Sequence, residues 1–141
     1  MKKILSAILV LTMIASLLVV FSSCKKEEED LFKVGFICLH DENSTYDKNF
    51  MDAAKAACEN MGVEYAQKTQ IPESQKCYDA AVELIETEGC EIIFADSFGH
   101  ESFLIEAAKK YPDVEFCHAT GTQAHTAGVK NFHNAFASIY Q

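Results

Sequence analysis

Three short polar clusters, each following an apolar run, hold most of the side chains that could do chemistry. The first, residues 40–46, ends in Ser44-Thr45-Tyr46 and leads into Asp47 and Phe50. The second is Asp96-Ser97-Phe98-Gly99, and the third is Ala119-Thr120-Gly121. Carboxylates and hydroxyls placed beside aromatic rings suit non-covalent capture of a small molecule: the former accept hydrogen bonds, the latter stack or exclude water. Each residue also has a plainer reading. Ser44-Thr45-Tyr46-Asp47 resembles a capping box with Asp in place of Glu, so Asp47 is a helix cap or a ligand contact. Phe50, one turn into the helix, reads as core or as part of a binding face. Asp96 follows Ile92-Ile93-Phe94-Ala95, so its carboxylate must emerge at a strand end, as a loop cap or toward ligand.

Other chemistries lack their signatures. His40, His100, His118, His125 and His133 include no pair at i, i+4, and there is no Cys-x-x-Cys, so metal binding is the weaker reading. There is no G-x-S-x-G elbow to support a hydrolase. Cys38, Cys58, Cys77, Cys90 and Cys117 lie on or beside apolar faces, and five is odd, so they read as buried thiols used as small hydrophobes. Asp41/Glu42, Asp96, Thr120 and Lys130 mimic the residue set of a response-regulator receiver. Thr120 and Lys130 are too close together for that family, and no proline follows the lysine. No catalytic residue, metal or cofactor is expected.

The elements that must position these clusters alternate. Strands are expected over residues 33–39, 63–69, 91–95, 114–119 and 128–132, and helices over 47–61, 74–88 and 100–111, with a further helix beginning over 134–141. In the first helix Phe50, Ala54, Ala57, Cys58 and Met61 form one stripe, ended by Gly62. The second presents Cys77, Ala80, Ala81, Leu84 and Ile85, with Ser74 as its cap and Gly89 as its stop. The third presents Leu104, Ala107, Ala108 and Tyr111 before Pro112. Strands and helices at this spacing make βαβ units, hence an α/β fold with a parallel sheet and right-handed crossovers. In the order 2-1-3-4-5 the switch point falls between the first and third strands, where open α/β sheets bind ligands. The three polar clusters line it.

The N-terminus has a different character. Lys2 and Lys3 precede an uncharged, mostly apolar run over residues 4–21, then Ser22-Ser23-Cys24. Residues 1–24 read as a secretory signal, and Phe21-Ser22-Ser23-Cys24 resembles a lipobox, with Cys24 the lipidated first residue of the mature chain. Residues 25–31, opening KKEEED, read as a charged tether. Without Lys2 and Lys3 the 12 basic residues fall to 10 against 21 acidic ones, a net −11, and arginine is absent. Such a surface argues against nucleic acid and lacks the guanidinium fork that suits anionic ligands. The expected place is the extracytoplasmic face of a membrane, held there by lipid.

The order of these segments resembles a known family. Lys-Val-Gly-Phe-Ile follows the lipobox, and the first loop closes in Asp47-Lys48-Asn49-Phe50. Then come Glu91-Ile-Ile-Phe-Ala-Asp-Ser-Phe-Gly99, Ala107-Ala-Lys-Lys-Tyr-Pro-Asp-Val-Glu-Phe116 and Asn131-Phe-His-Asn-Ala-Phe-Ala-Ser-Ile-Tyr-Gln141. This resembles the basic membrane protein family of substrate-binding lipoproteins. The resemblance implies a type I periplasmic-binding fold, with residues 32–141 as the N-terminal lobe and a second lobe missing. It implies a purine nucleoside as ligand and the permease of an ABC importer as partner, with a sugar-like or other small-ligand sensor as the alternative. Carried over by position, Phe50 is the aromatic that stacks on the base. Asp47 and Asp96-Ser97-Phe98 are polar lining, with Tyr46 beside them. Met51 stands where the family commonly has Asn, and the 40–46 loop is longer than the family's short turn.

Overall fold

The computed structural model describes residues 32–135. The signal, lipobox and tether expected over residues 1–31 lie outside the described residues, as do residues 136–141. The elements are β1 (Lys33–Ile37), α1 (Thr45–Met61), β2 (Glu64–Lys68), α2 (Gln75–Glu86), β3 (Ile92–Ala95), a 3-10 turn (Phe98–His100), α3 (Glu101–Lys110), β4 (Glu115–His118) and β5 (Phe132–Asn134). All pairings are parallel and the strand order is β2-β1-β3-β4-β5, as the alternation predicts.

Side-chain alternation along each strand assigns the two faces of the sheet. Ile37, Ile93, Ala95, Phe116 and Phe132 point to one face and form a core with Cys77, Ala80, Ala81 and Leu84 of α2 and Leu104, Ala107 and Ala108 of α3. Gly35 lies on this face because α2 leaves no room: a Cβ there would sit 2.7 Å from Ile93 Cδ1 and 3.0 Å from Leu84 Cδ1. The opposite face carries Val34, Phe36, Ile92 and Phe94, and α1 packs on its β2 side. The rings of Phe36 and Phe94 stack there at 5.2 Å.

The caps follow local chemistry. Ser44 accepts from Asp47 N at the start of α1, Ser74 accepts from Lys76 N at the start of α2, and Gly62 closes α1 at φ 67°. Only glycine adopts that left-handed conformation without strain.

Three sequence readings need correction. The buried stripe of α1 is Asp47, Met51, Ala54 and Cys58, not the stripe through Phe50 and Met61, which are 37% and 75% exposed. A buried carboxylate opens the true stripe, so hydrophobic periodicity alone put it in the wrong phase. The last strand is Phe132–Asn134, not 128–132. Gly128 has φ 72°, and the Asn131 side chain caps the end of α3, with Nδ2 within 2.8–3.0 Å of the Ala108, Tyr111 and Val114 carbonyls. Consequently the helix expected from 134 starts inside β5, and residues 136–141 of it lie outside the described residues.

Candidate functional site

The carboxyl ends of β1 and β3 open into a hollow of about 220 Å³ lined by Leu39, His40, Ser44, Tyr46, Asp47, Asp96 and Ser97. It lies at the predicted switch point. Asp47 sits in the first turn of α1 and is almost fully buried. Its Oδ1 accepts from His40 N at 2.9 Å; its Oδ2 accepts from Ser44 Oγ at 2.5 Å and lies 3.0 Å from His40 Nδ1. Only half of a capping box forms, because the Asp47 carboxylate reaches to residue 40 rather than to Ser44 N, which bonds Asp41 O. Burial works against the charge of Asp47, but these donors outweigh it and hold the carboxyl well below the usual range.

Asp96 is the opposite case. It is 3% exposed, its Oδ1 accepts only from Leu39 N at 3.2 Å, and its Oδ2 has no partner. Burial, reinforced by the negative charge of Asp47, pushes its pKa up to about 6. Burial also raises the neighbouring Cys38 thiol far above its usual value, with Asp96 adding to the effect, so it is no nucleophile at neutral pH.

The other predicted residues divide. Tyr46 is half exposed and donates its hydroxyl to Asp96 O at 3.3 Å. Its ring lies 5.1 Å from that of Phe50 at 54°, so Phe50 joins the rim through Tyr46 while itself lining a larger apolar groove beside α1. Ser97 lines the hollow, but its Oγ donates to Glu73 Oε1 at 2.6 Å. Phe98, at the tip of the 3-10 turn, is 65% exposed and does not line the hollow. The structure thus brings Tyr46, Asp47, Asp96 and Ser97 together, with Phe50 beside them and Phe98 apart.

Sequence reasoning missed the residues that hold the 96–99 loop. Glu73, from the loop before α2, accepts from Gly99 N at 2.7 Å as well as from Ser97 Oγ. Behind the loop, His118 Nε2 donates to Ser97 O at 2.6 Å and His100 Nε2 donates to Ile71 O at 2.8 Å. Both rings are buried, and burial lowers both pKa values, so they stand neutral. Glu101 accepts from Gln123 N, Gln123 Nε2 and Asn134 Nδ2, tying the third polar loop to β5. No local signal marks these partners, because each contact joins residues more than 20 positions apart.

The rival chemistries can be placed as well. Lys130 precedes β5 and so lies at the amino end of the parallel strands, whereas Asp96 lies at their carboxyl end, which does not suit a receiver site. Among the described residues no three His, Cys, Asp or Glu side chains come together to hold a metal. The five described cysteines are free thiols, four of them buried. The large groove beside α1 has only Asp96 at its edge as a polar side chain and offers little to orient a ligand.

A parallel sheet ordered 2-1-3-4-5, sandwiched by helices and carrying its polar loops at the switch point, is the lobe architecture of the type I periplasmic-binding fold. Comparison with known proteins agrees. The chain is 35% identical over 98 residues to a purine-binding protein of Brucella abortus (strain 2308), an alignment covering 66% of this chain and 27% of the relative. It therefore spans about a quarter of that relative's length. Among solved structures it superposes on an ABC transporter solute-binding protein from Conexibacter woesei DSM 14684 (TM-score 0.62, 12% identity, 74% of this chain and 35% of the other). A solute-binding protein of an ABC transporter from Rhodopseudomonas palustris BisB5, in complex with 3,4-dihydroxybenzoic acid, gives TM-score 0.62 at 19% identity over 77% and 33% of the two chains. A transcriptional activator of the comK gene from Bacillus halodurans gives TM-score 0.60 at 20% identity over 72% and 33%. At these identities the structural likeness establishes the fold alone. No family model matches the chain.

Proposed function

We propose that this chain is the N-terminal lobe of a solute-binding lipoprotein of the basic membrane protein family, anchored through Cys24 outside the cytoplasm and delivering a purine nucleoside to an ABC importer. The observation that carries the proposal is the 35% identity over 98 residues to a purine-binding protein. The hollow supports it chemically. Asp96 Oδ2 is a buried acceptor without a partner, which suits a ring N–H or sugar hydroxyl, and Tyr46 and Phe50 supply aromatic surface beside it. Asp47 has its acceptor capacity committed within its own loop, so its role is to shape the hollow. A sensor that binds a small ligand without transport is the second reading, favoured by the equal likeness to a transcriptional activator.

The test is calorimetry with guanosine, adenosine, inosine, ribose and glucose on a chain carrying both lobes, comparing wild type with Asp96→Ala and Phe50→Ala. A nucleoside should bind best, and each variant should weaken it about tenfold or more, the worth of one stacking or hydrogen-bond contact. If both variants bind the best ligand as tightly as wild type, the site lies elsewhere. Nucleoside uptake by cells carrying or lacking the protein separates transport from sensing.

A further inference from the structure

His40 lines the ligand hollow and is held there at three atoms. Its backbone N donates to Asp47 Oδ1 at 2.9 Å, its Nδ1 lies 3.0 Å from Asp47 Oδ2, and its carbonyl accepts from Gln70 N at 3.4 Å. Packing does not explain this grip, because the His40 side chain is 60% exposed. Nor is the ring the sole donor to Asp47, which also accepts from Ser44 Oγ and His40 N. With Nδ1 turned to a buried carboxylate, Nε2 is the polar ring atom left over. Among the described residues it has no hydrogen-bond partner.

Gln70 supplies the outer half of the grip. It stands two residues past β2 and is the only non-glycine among the described residues with a positive φ, 58°. A side chain in that left-handed conformation costs energy and persists where its surroundings hold it. Gln70 Nε2 donates to Asp41 Oδ2 at 2.8 Å. Asp41 in turn organises the loop: its Oδ1 accepts from Asn43 N and Nδ2 at 3.0 Å, and its carbonyl accepts from Ser44 N at 3.0 Å. The strained residue thus fixes residues 40–44 from outside, while Asp47 fixes them from within.

We propose that His40 is a ligand contact whose Nε2 meets a hydroxyl of the bound solute, with Gln70 the positioning residue that holds it there, an inference that rests on the hollow being the ligand site. A hydroxyl suits this atom in either form of the ring. The neutral ring, with its proton on Nδ1 toward Asp47, offers Nε2 as an acceptor, and the charged ring offers it as a donor. A hydroxyl donates to the first and accepts from the second, whereas an acceptor nitrogen or carbonyl of a purine meets the charged ring alone. On the nucleoside reading the base lies against Tyr46 and Phe50 and the hydroxyl belongs to the ribose, so His40 separates nucleosides from free bases.

The experiment is calorimetry on a chain carrying both lobes, with inosine against hypoxanthine, adenosine against adenine, and ribose and glucose alone, each variant also being melted. Wild type should bind the better nucleoside about tenfold or more tightly than its base. His40→Ala should lower the affinity for that nucleoside about tenfold and for the base about twofold at most. His40→Gln, whose amide reaches the Nε2 position, should recover part of the loss. Gln70→Gly accepts the left-handed backbone, so its Tm should stay within about 2 °C of wild type while nucleoside affinity falls about threefold. A purely structural role for Gln70 does not give that split. Equal affinities of base and nucleoside in wild type would overturn the proposal, as would unchanged nucleoside binding in His40→Ala or in Gln70→Gly, or equal losses for nucleoside and base. A sugar that binds where no nucleoside does would overturn the nucleoside reading instead; a loss of about tenfold for that sugar in His40→Ala would then support His40 as the contact, and unchanged binding would overturn it. No binding by any of these solutes would overturn both.

Discussion

Asp47, in the first turn of α1, and Asp96, just after β3, differ in acidity for reasons traceable to single atoms. Asp47 is surrounded by donors and stays charged, whereas Asp96 has one donor, one bare oxygen and a charged neighbour. The folded pKa of Asp96, about 6, lies above the ordinary aspartate value of 3.8. Between those values the native state holds more protons than the unfolded state, so the Asp96 contribution to stability is present below about pH 4 and is lost as pH rises to about 6. The full difference corresponds to roughly 3 kcal/mol. Asp96→Asn keeps an acceptor for Leu39 N and removes the titration. The stability of the variant minus that of wild type should therefore grow from pH 4 to pH 7, as measured by urea denaturation at each pH. A difference independent of pH would mean that Asp96 is not held protonated. The sequence showed that a carboxylate must emerge at the end of β3. It did not show how that carboxylate would ionise, because that depends on Leu39 and Asp47, which the fold brings to it.

At the scale of elements, the order and parallel pairing of the strands were legible because hydrophobic periodicity, capping serines and glycine stops agreed with one another. The departures all come from polar side chains inside apolar patterns. Asp47 shifts the phase of the α1 stripe, Asn131 delays β5, and Glu73 with His118 holds the 96–99 loop from a distance. The six residues proposed for the ligand face divide for the same reason: periodicity could not tell that Phe98 would stand outside the hollow. Two predictions belong here. Gly35→Ala should destabilise the fold by about 1–3 kcal/mol, because the added methyl meets Ile93 and Leu84 at 2.7 and 3.0 Å. Thermal melting reads this directly, and an unchanged Tm would mean that α2 shifts freely. Glu73→Ala should cost about 1 kcal/mol, since its carboxylate is largely exposed. It should also speed amide exchange at Gly99 and His100, whereas exchange in β3 should not change. Uniform acceleration would make Glu73 an ordinary surface contributor rather than the holder of this loop.

For the whole molecule, the proposed membrane attachment and the proposed ligand affinity both involve parts beyond the described residues. If Cys24 is the lipidated N-terminus of the mature protein, Cys24→Ala should leave unlabelled precursor when cells are fed a fatty-acid probe, and normal labelling would refute the assignment. Affinity follows from enclosure. A good small-molecule site buries most of its ligand, whereas the hollow between β1 and β3 holds about 220 Å³ and is open on one side. The relatives are about three to four times as long as the part this chain matches, and the proposed reading adds a second lobe that closes on the first. On the proposed reading one lobe gives about half the stacking and hydrogen bonds, so this chain alone should bind its best nucleoside with a Kd near ~1 mM, about −4 kcal/mol. A chain carrying both lobes should reach ~1 μM or tighter, since each further 1.4 kcal/mol is tenfold. Calorimetry on the two forms, with the same nucleoside and buffer, measures the gap. Equal affinities would mean that the hollow of this lobe is the complete site, and closure between lobes would then have no part in binding.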